Sequence, residues 1–91
     1  MERVHLLISG LVQGVGFRYA AAAFARELEV AGWVKNLPDG RVEIEVIGEG
    51  EPLETFLDWC KQGPPNCKVK GVEIASRESV PKPANPRFEI K

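Results

Sequence analysis

Residues 4–29 read VHLLISGLVQGVGFRYAAAAFARELE, and a change of period inside this stretch decides the fold. Val4, Leu6 and Ile8 alternate with His5, Leu7 and Ser9, the two-residue period of a strand with one strongly apolar and one mixed face. Gly10 opens a glycine-rich run to Gly16. Beyond it Phe17, Ala20, Ala21, Phe24 and Leu28 recur at helical spacing in a segment rich in alanine, the best helix former. A strand thus passes through glycines straight into a helix, predicted over Phe17 to Glu29 with Gly32 as its stop.

Downstream, Trp33-Val34-Lys35-Asn36 reads as a short strand, and Asp39-Gly40 in Leu37-Pro38-Asp39-Gly40 is a hairpin turn signal. Val42, Ile44 and Val46 then alternate with Glu43, Glu45 and Ile47 to complete the hairpin. Pro52 suits the first turn of a second helix and Glu51 and Glu54 its positive end. Leu53, Phe56, Leu57 and Cys60 form its inner stripe, which predicts a helix from Pro52 to Gln62 ending before Gly63-Pro64-Pro65. Val69, Val72 and Ile74 follow, with a phase slip at Lys70-Gly71 that a bulge absorbs, and Phe88 and Ile90 close the chain after the proline-rich stretch from Val80 to Pro86. The order β-α-β-β-α-β plus a short C-terminal strand is the split βαβ, ferredoxin-like α+β arrangement: an antiparallel sheet with two helices on one face. His5, Leu7, Trp33, Glu43, Glu45 and Ile47 are expected on the other face, toward solvent.

Ninety-one residues with 44% hydrophobic content suit one domain, residues 1–91, with one modest core. Twelve Lys and Arg against thirteen Asp and Glu leave a net charge of −1, so the composition offers no basic field for a polyanion, and no nucleic acid partner is expected. Glu43 and Glu45 on the open face argue the same way, since RNA recognition on such a sheet uses aromatic and basic residues. Arg3 is followed by no apolar run of signal-peptide length, because His5, Ser9 and Gly10 interrupt it, and no 18 apolar residues run together. The expectation is a soluble, cytoplasmic monomer without a membrane partner.

Cys60 and Cys67 are too few for a secreted disulfide framework and lack metal-ligand spacing. Cys60 completes the second helix and Cys67 follows Gly63-Pro64-Pro65-Asn66, so both fall near one helix–sheet corner. A disulfide and two free thiols remain alternatives, the reducing cytoplasm favouring thiols. Neither cysteine lies in the segments that carry chemistry.

A glycine-rich loop leading from a strand into a helix N-terminus is an anion site, because unpaired N–H groups converge there and the helix dipole adds positive charge. It can equally be a plain tight connection. The loop has neither the Lys-Ser/Thr of a P-loop nor the third glycine of a dinucleotide fingerprint. Arg18, in the first helical turn, opposes the helix dipole; an anion bound in the loop would offset that, and the alternative is a solubilising surface charge. Asn36, before the turn, can hold a water through its donor and acceptor or serve the turn alone. The single histidine, His5, lies mid-strand with no partner near the loop, so no covalent phosphoenzyme is expected.

Ile8-Ser9-Gly10-Leu11-Val12-Gln13-Gly14-Val15-Gly16-Phe17-Arg18 resembles the first signature of the acylphosphatases. Gly32-Trp33-Val34-Lys35-Asn36-Leu37-Pro38-Asp39-Gly40-Arg41-Val42, with Gly48 six residues on, is similar to the second. Leu11 departs from the pattern, standing where many members carry a basic residue. The resemblance implies hydrolysis of acyl phosphates to a carboxylate and inorganic phosphate, the phosphate being both product and inhibitor. It implies a phosphate-binding loop of Gln13, Gly14, Val15, Gly16, Phe17 and Arg18, with Arg18 gripping phosphate and Asn36 positioning the attacking water. Physics accommodates so sparse a site, since the leaving carboxylate is stable and phosphoryl transfer needs mainly charge stabilisation and in-line positioning. No cofactor and no metal are expected, because no Cys, His or carboxylate cluster has ligand spacing. Acylphosphatase-like domains also occur within larger carbamoyl-phosphate-processing maturation proteins, for the rest of which 91 residues leave no room.

Overall fold

The computed structural model describes residues 1–91. Its elements are β1 (Glu2–Leu11), α1 (Phe17–Leu28), β2 (Ala31–Asn36), β3 (Val42–Gly48), α2 (Gly50–Cys60), β4 (Lys68–Ser79) and β5 (Phe88–Ile90). The five strands form one sheet in the order β4-β1-β3-β2-β5, the ferredoxin-like order extended by one edge strand. Register follows the apolar alternation: Val4 lies opposite Val46, Leu6 opposite Ile44 and Ile8 opposite Val42, and all six are fully buried on the face that both helices cover. The residues between them, His5, Leu7, Glu43, Glu45 and Ile47, are half-buried on the open face together with Trp33. There Trp33 meets His5 edge-on at 6.0 Å and carries the ammonium groups of Lys35 and Lys91 over its ring.

The sheet is mixed rather than wholly antiparallel, because β5 pairs parallel to β2, with Phe88 opposite Gly32 and Ile90 opposite Val34. The cause is where β4 ends. Ser79 lies opposite Glu2, at the end of the sheet where β2 begins, so the segment from Val80 to Arg87 delivers β5 to the start of β2 and the two run together. Phe88 anchors the strand, its ring buried 5.7 Å from that of Phe56 and its carbonyl oxygen accepting from Nε and Nη2 of Arg26. β4 is one long edge strand: its register against β1 shifts between Ser9 and Gly10, at the Lys70 bulge read from the sequence, and again between His5 and Leu6, where Ala75 is unpaired.

α1 buries Phe17, Ala21, Ala22 and Ala25, so its inner face is turned slightly from the expected stripe, and Phe24 and Leu28 are only partly covered. Three alanines at the contact let the helix lie close to the sheet, while the larger side chains fill its flank. Trp59 ties both helices, its ring within 5.5 Å of Phe17, 5.6 Å of Phe24 and 6.1 Å of Phe56. α2 buries Leu53, Phe56, Leu57 and Cys60 as its pattern predicts, starting two residues before Pro52 and ending on Cys60. Leu53, Phe56 and Leu57 each contribute about 1.5 to 3 kcal/mol by leaving water.

α1 does not stop at Gly32. It stops at Glu29, held in the left-handed region at φ 58°, where the N–H groups of Glu29 and Val30 close the last turn on the carbonyls of Arg26 and Ala25. Gly32 has a different task inside β2: at φ 135° a Cβ would lie 1.8 Å from the carbonyl oxygen of Glu45 on β3. Gly32→Ala combines that clash with a disfavoured backbone and is expected to remove about 2 kcal/mol or more of stability. A fall in the urea midpoint at unchanged m-value checks it; an unchanged midpoint contradicts it.

Candidate active site

The loop between β1 and α1 is shaped by two glycines in the left-handed region, Gly14 at φ 74° and Gly16 at φ 84°. A Cβ at either would meet nothing within 4 Å, so torsion, not crowding, calls for glycine, and the loop's outer side stays open. Gly16 caps α1 with no side-chain hydrogen bond, and no acidic residue stands in the first turn. The first intrahelical bond runs from the N–H of Ala20 to the carbonyl of Gly16, while the amides of Gly14, Val15 and Gly16 make no backbone hydrogen bond. The result is a set of free donors at the positive end of a helix dipole.

Gln13 holds this loop against the β2–β3 turn. Its Nε2 donates to the carbonyl oxygens of Leu37 at 2.7 Å and Arg41 at 2.8 Å. Those carbonyls already accept from Gly40 and Leu37 respectively across the three-residue loop Pro38-Asp39-Gly40, in which Gly40 has φ 97°. Asp39 braces the turn through the backbone N–H of Arg41, which holds its carboxyl below the ordinary range, aided by the Arg41 guanidinium. The side chain of Gln13 is therefore committed to the hairpin, leaving only its main chain to the loop.

The same register brings Asn36 to the loop, because Val42 lies opposite both Ile8 and Asn36. Asn36 Oδ1 is buried and accepts no hydrogen bond, the one such side-chain atom in the molecule. Leaving a buried acceptor unpaired costs about 1 to 3 kcal/mol, which singles the atom out. Arg18 is half-buried; its Nη1 donates to the main-chain oxygen of Lys91 at 3.0 Å, and no Asp or Glu side chain pairs with it. Val12, Gly14, Gly16, Phe17, Arg18, Tyr19 and Asn36 line one cleft of about 250 Å³.

Of the residues singled out in the sequence, Gly14, Gly16, Phe17, Arg18 and Asn36 thus converge on the cleft. Gln13 and Val15 do not line it, Val15 packing against the core instead. Phe17 also turns its ring into the core, so the loop gains only its main chain. Val12 and the exposed Tyr19 were not expected there; neither has a local pattern that marks it. A larger hollow of about 1,100 Å³ lies at the opposite end of the sheet, between Leu28, Pro52, Pro83 and Phe88, and holds none of these residues. Size favours the hollow, but free amides, a cation without an Asp or Glu partner and an orphaned acceptor meet only in the smaller cleft.

A family profile described as Acylphosphatase matches residues 4–90. The chain belongs to the acylphosphatase family. It is 50% identical over 74 residues to an acylphosphatase of Methylococcus capsulatus, covering 81% of this chain and 80% of that one. The crystal structure of the Bacillus subtilis acylphosphatase superposes with a TM-score of 0.92 at 37% identity, covering 100% and 99% of the two chains. HypF of T. kodakarensis contains a similar unit, with TM-score 0.81 and 35% identity over all of this chain but 12% of that protein. Acylphosphatase membership makes the chain a hydrolase of acyl phosphates.

No group of three His, Cys, Asp or Glu side chains is placed to hold a metal ion, and no helix is long and apolar enough to cross a membrane. Cys60 and Cys67 stand as two buried free thiols away from the acylphosphatase cleft. Burial pushes the Cys60 thiol up to about 12 and raises Cys67 as well. A thiol raised from 9.0 when unfolded binds its proton more tightly in the fold, so its contribution is complete below pH 9 and is lost as pH rises toward 12. Wild type should lose roughly 1.4 kcal/mol per pH unit above pH 9 relative to Cys60→Ala. Parallel urea titrations across that range test this, and equal pH slopes would rule it out.

Proposed function

We propose that the cleft hydrolyses a small-molecule acyl phosphate by direct in-line attack of water, without metal or covalent intermediate. Main-chain N–H groups of the loop from Gln13 to Phe17 and the guanidinium of Arg18 take the phosphoryl oxygens, and Asn36 Oδ1 accepts a hydrogen bond from the attacking water. The water oxygen bonds to phosphorus while the bond to the acyl oxygen breaks; its electron pair leaves with the carboxylate. A proton of the water ends on a phosphoryl oxygen, giving inorganic phosphate, which also inhibits by occupying the same donors. The orphaned, buried Oδ1 of Asn36, on a residue that lines the same cleft as Arg18, carries this reading, because a buried acceptor without a donor is costly and marks a place where a ligand's donor would be welcome.

Nothing in this chemistry calls for a strong acid or a metal: the leaving group is a stable anion, and fixed donors supply the charge stabilisation. The loop, Arg18 and Asn36 assemble within one fold, in keeping with residues 1–91 acting as one monomeric domain. Two unbonded cysteines suit a reducing, cytoplasmic setting.

Arg18→Ala should weaken inhibition by inorganic phosphate and lower kcat/KM for acetyl phosphate by the equivalent of about 2 to 5 kcal/mol. Asn36→Ala should instead lower kcat about 100- to 1,000-fold while phosphate inhibition stays within a few-fold, since a positioned water matters only on the way to the transition state. Steady-state kinetics with phosphate as inhibitor separate the two; near-normal turnover in Asn36→Ala would return that residue to turn chemistry. Activity is expected to survive EDTA, and its loss on chelation, restored by added metal, would overturn the metal-free reaction.

A further inference from the structure

Summed over the sequence the side-chain charge is −1, yet the fold separates it. The strand register defines two ends: Ile8 with Val42 and Leu11 with Lys68 lie at the loop end, and Glu2 with Gly48 and Ser79 at the other. Cut at the row that pairs Leu6 with Ile44, the loop end carries three positive charges in excess and the opposite end four negative. Much of the loop-end charge is locally neutralised, Arg41 by Asp39, Lys35 by Glu43 and Lys61 by Asp58. Arg18, Lys68, Lys70 and Lys91 have no Asp or Glu partner, against Glu73 alone among the unpaired acidic side chains there.

Arg18 belongs to the cleft, and Lys91 lies over the Trp33 ring at 5.0 Å. Lys68 and Lys70 remain, both exposed and without a side-chain hydrogen bond. Their place is set by pairing: Lys68 is opposite Leu11, and the bulged Lys70 follows Val69, opposite Gly10, on the strand residues that run into the loop. An exposed ammonium acts at a range of about 10 Å at 0.1 M salt, and fields of this kind raise encounter rates by about 10- to 1,000-fold.

We propose that Lys68 and Lys70 are a capture pair that draws the anionic phosphoryl head of the substrate to the loop, acting through their field and not on the reacting atoms. The inference rests on the phosphate site described above. Its test is kcat/KM for acetyl phosphate at about 20 and about 500 mM NaCl, a change that shortens the range of the field several-fold. Wild type should fall about 10-fold with salt. Lys68→Glu with Lys70→Glu should fall about 10-fold at low salt, lose the salt dependence and keep kcat within about two-fold, while the milder Lys68→Gln with Lys70→Gln gives an intermediate loss. Glu27→Lys with Glu49→Lys, at the other end, should stay near wild type and so separates local field from net charge. A lysine variant that melts like wild type and keeps its kcat/KM and salt slope overturns the capture role, as does an equal loss in kcat. If Arg18→Ala also keeps normal phosphate inhibition, the site reading itself fails.

Discussion

The register of β1 against β3 is the constraint on which the rest depends. Val4, Leu6 and Ile8 stack beside Val46, Ile44 and Val42, and a slip of one residue would turn the three apolar residues of the slipped strand from the helices to water. Because Val42 also faces Asn36 across β3 and β2, this pairing sets the distance between the end of β1 and the end of β2. The glycine-rich loop starts at Gln13, five residues after Ile8, so the sheet delivers loop and asparagine to the same end. Packing of the core and placement of the cleft residues rest on the same register.

The proposed site draws almost wholly on main chain and two side chains. That economy suits phosphoryl transfer from an acyl group, where positioning and fixed dipoles replace acid, base and nucleophile. It also concentrates local instability: two left-handed glycines, an arginine at the wrong end of a helix dipole, and a buried carbonyl oxygen without a donor. The Gln13 amide offsets part of this by locking the loop to the hairpin with two bonds to backbone carbonyls. Elsewhere the fold is conventional, with apolar side chains, and no polar ones, fully buried in the core.

Charge behaves differently at the two levels of description. A composition near neutrality suggests no field at all, but antiparallel strands return the chain to the same end repeatedly, so residues far apart in sequence add there. Arg77 at the opposite end shows the local counterpart: bound to Glu2 and reaching Glu54 on α2, it is held more firmly protonated than a free guanidinium and joins β4, β1 and α2. Exposed ion pairs of this kind add little stability, so their arrangement bears on encounter more than on folding.

The amino-acid sequence by itself determined the element types, their order, the ferredoxin-like class, the apolar faces of β1, β3 and α2 and the position of the glycine-rich loop. Each of these rests on contacts within a few residues: a period of two or 3.6, a glycine where torsion demands it, a motif read in one stretch. The tertiary structure alone decided that Gly32 makes room for Glu45 rather than stopping α1, and that β5 runs parallel to β2. It also decided that Gln13 serves the hairpin, that Val12 and Tyr19 line the cleft, and that Asn36 Oδ1 is left without a donor. All of these depend on which strands lie side by side and where each ends. That is settled by burying one continuous apolar face, a property of the whole chain that no local window contains.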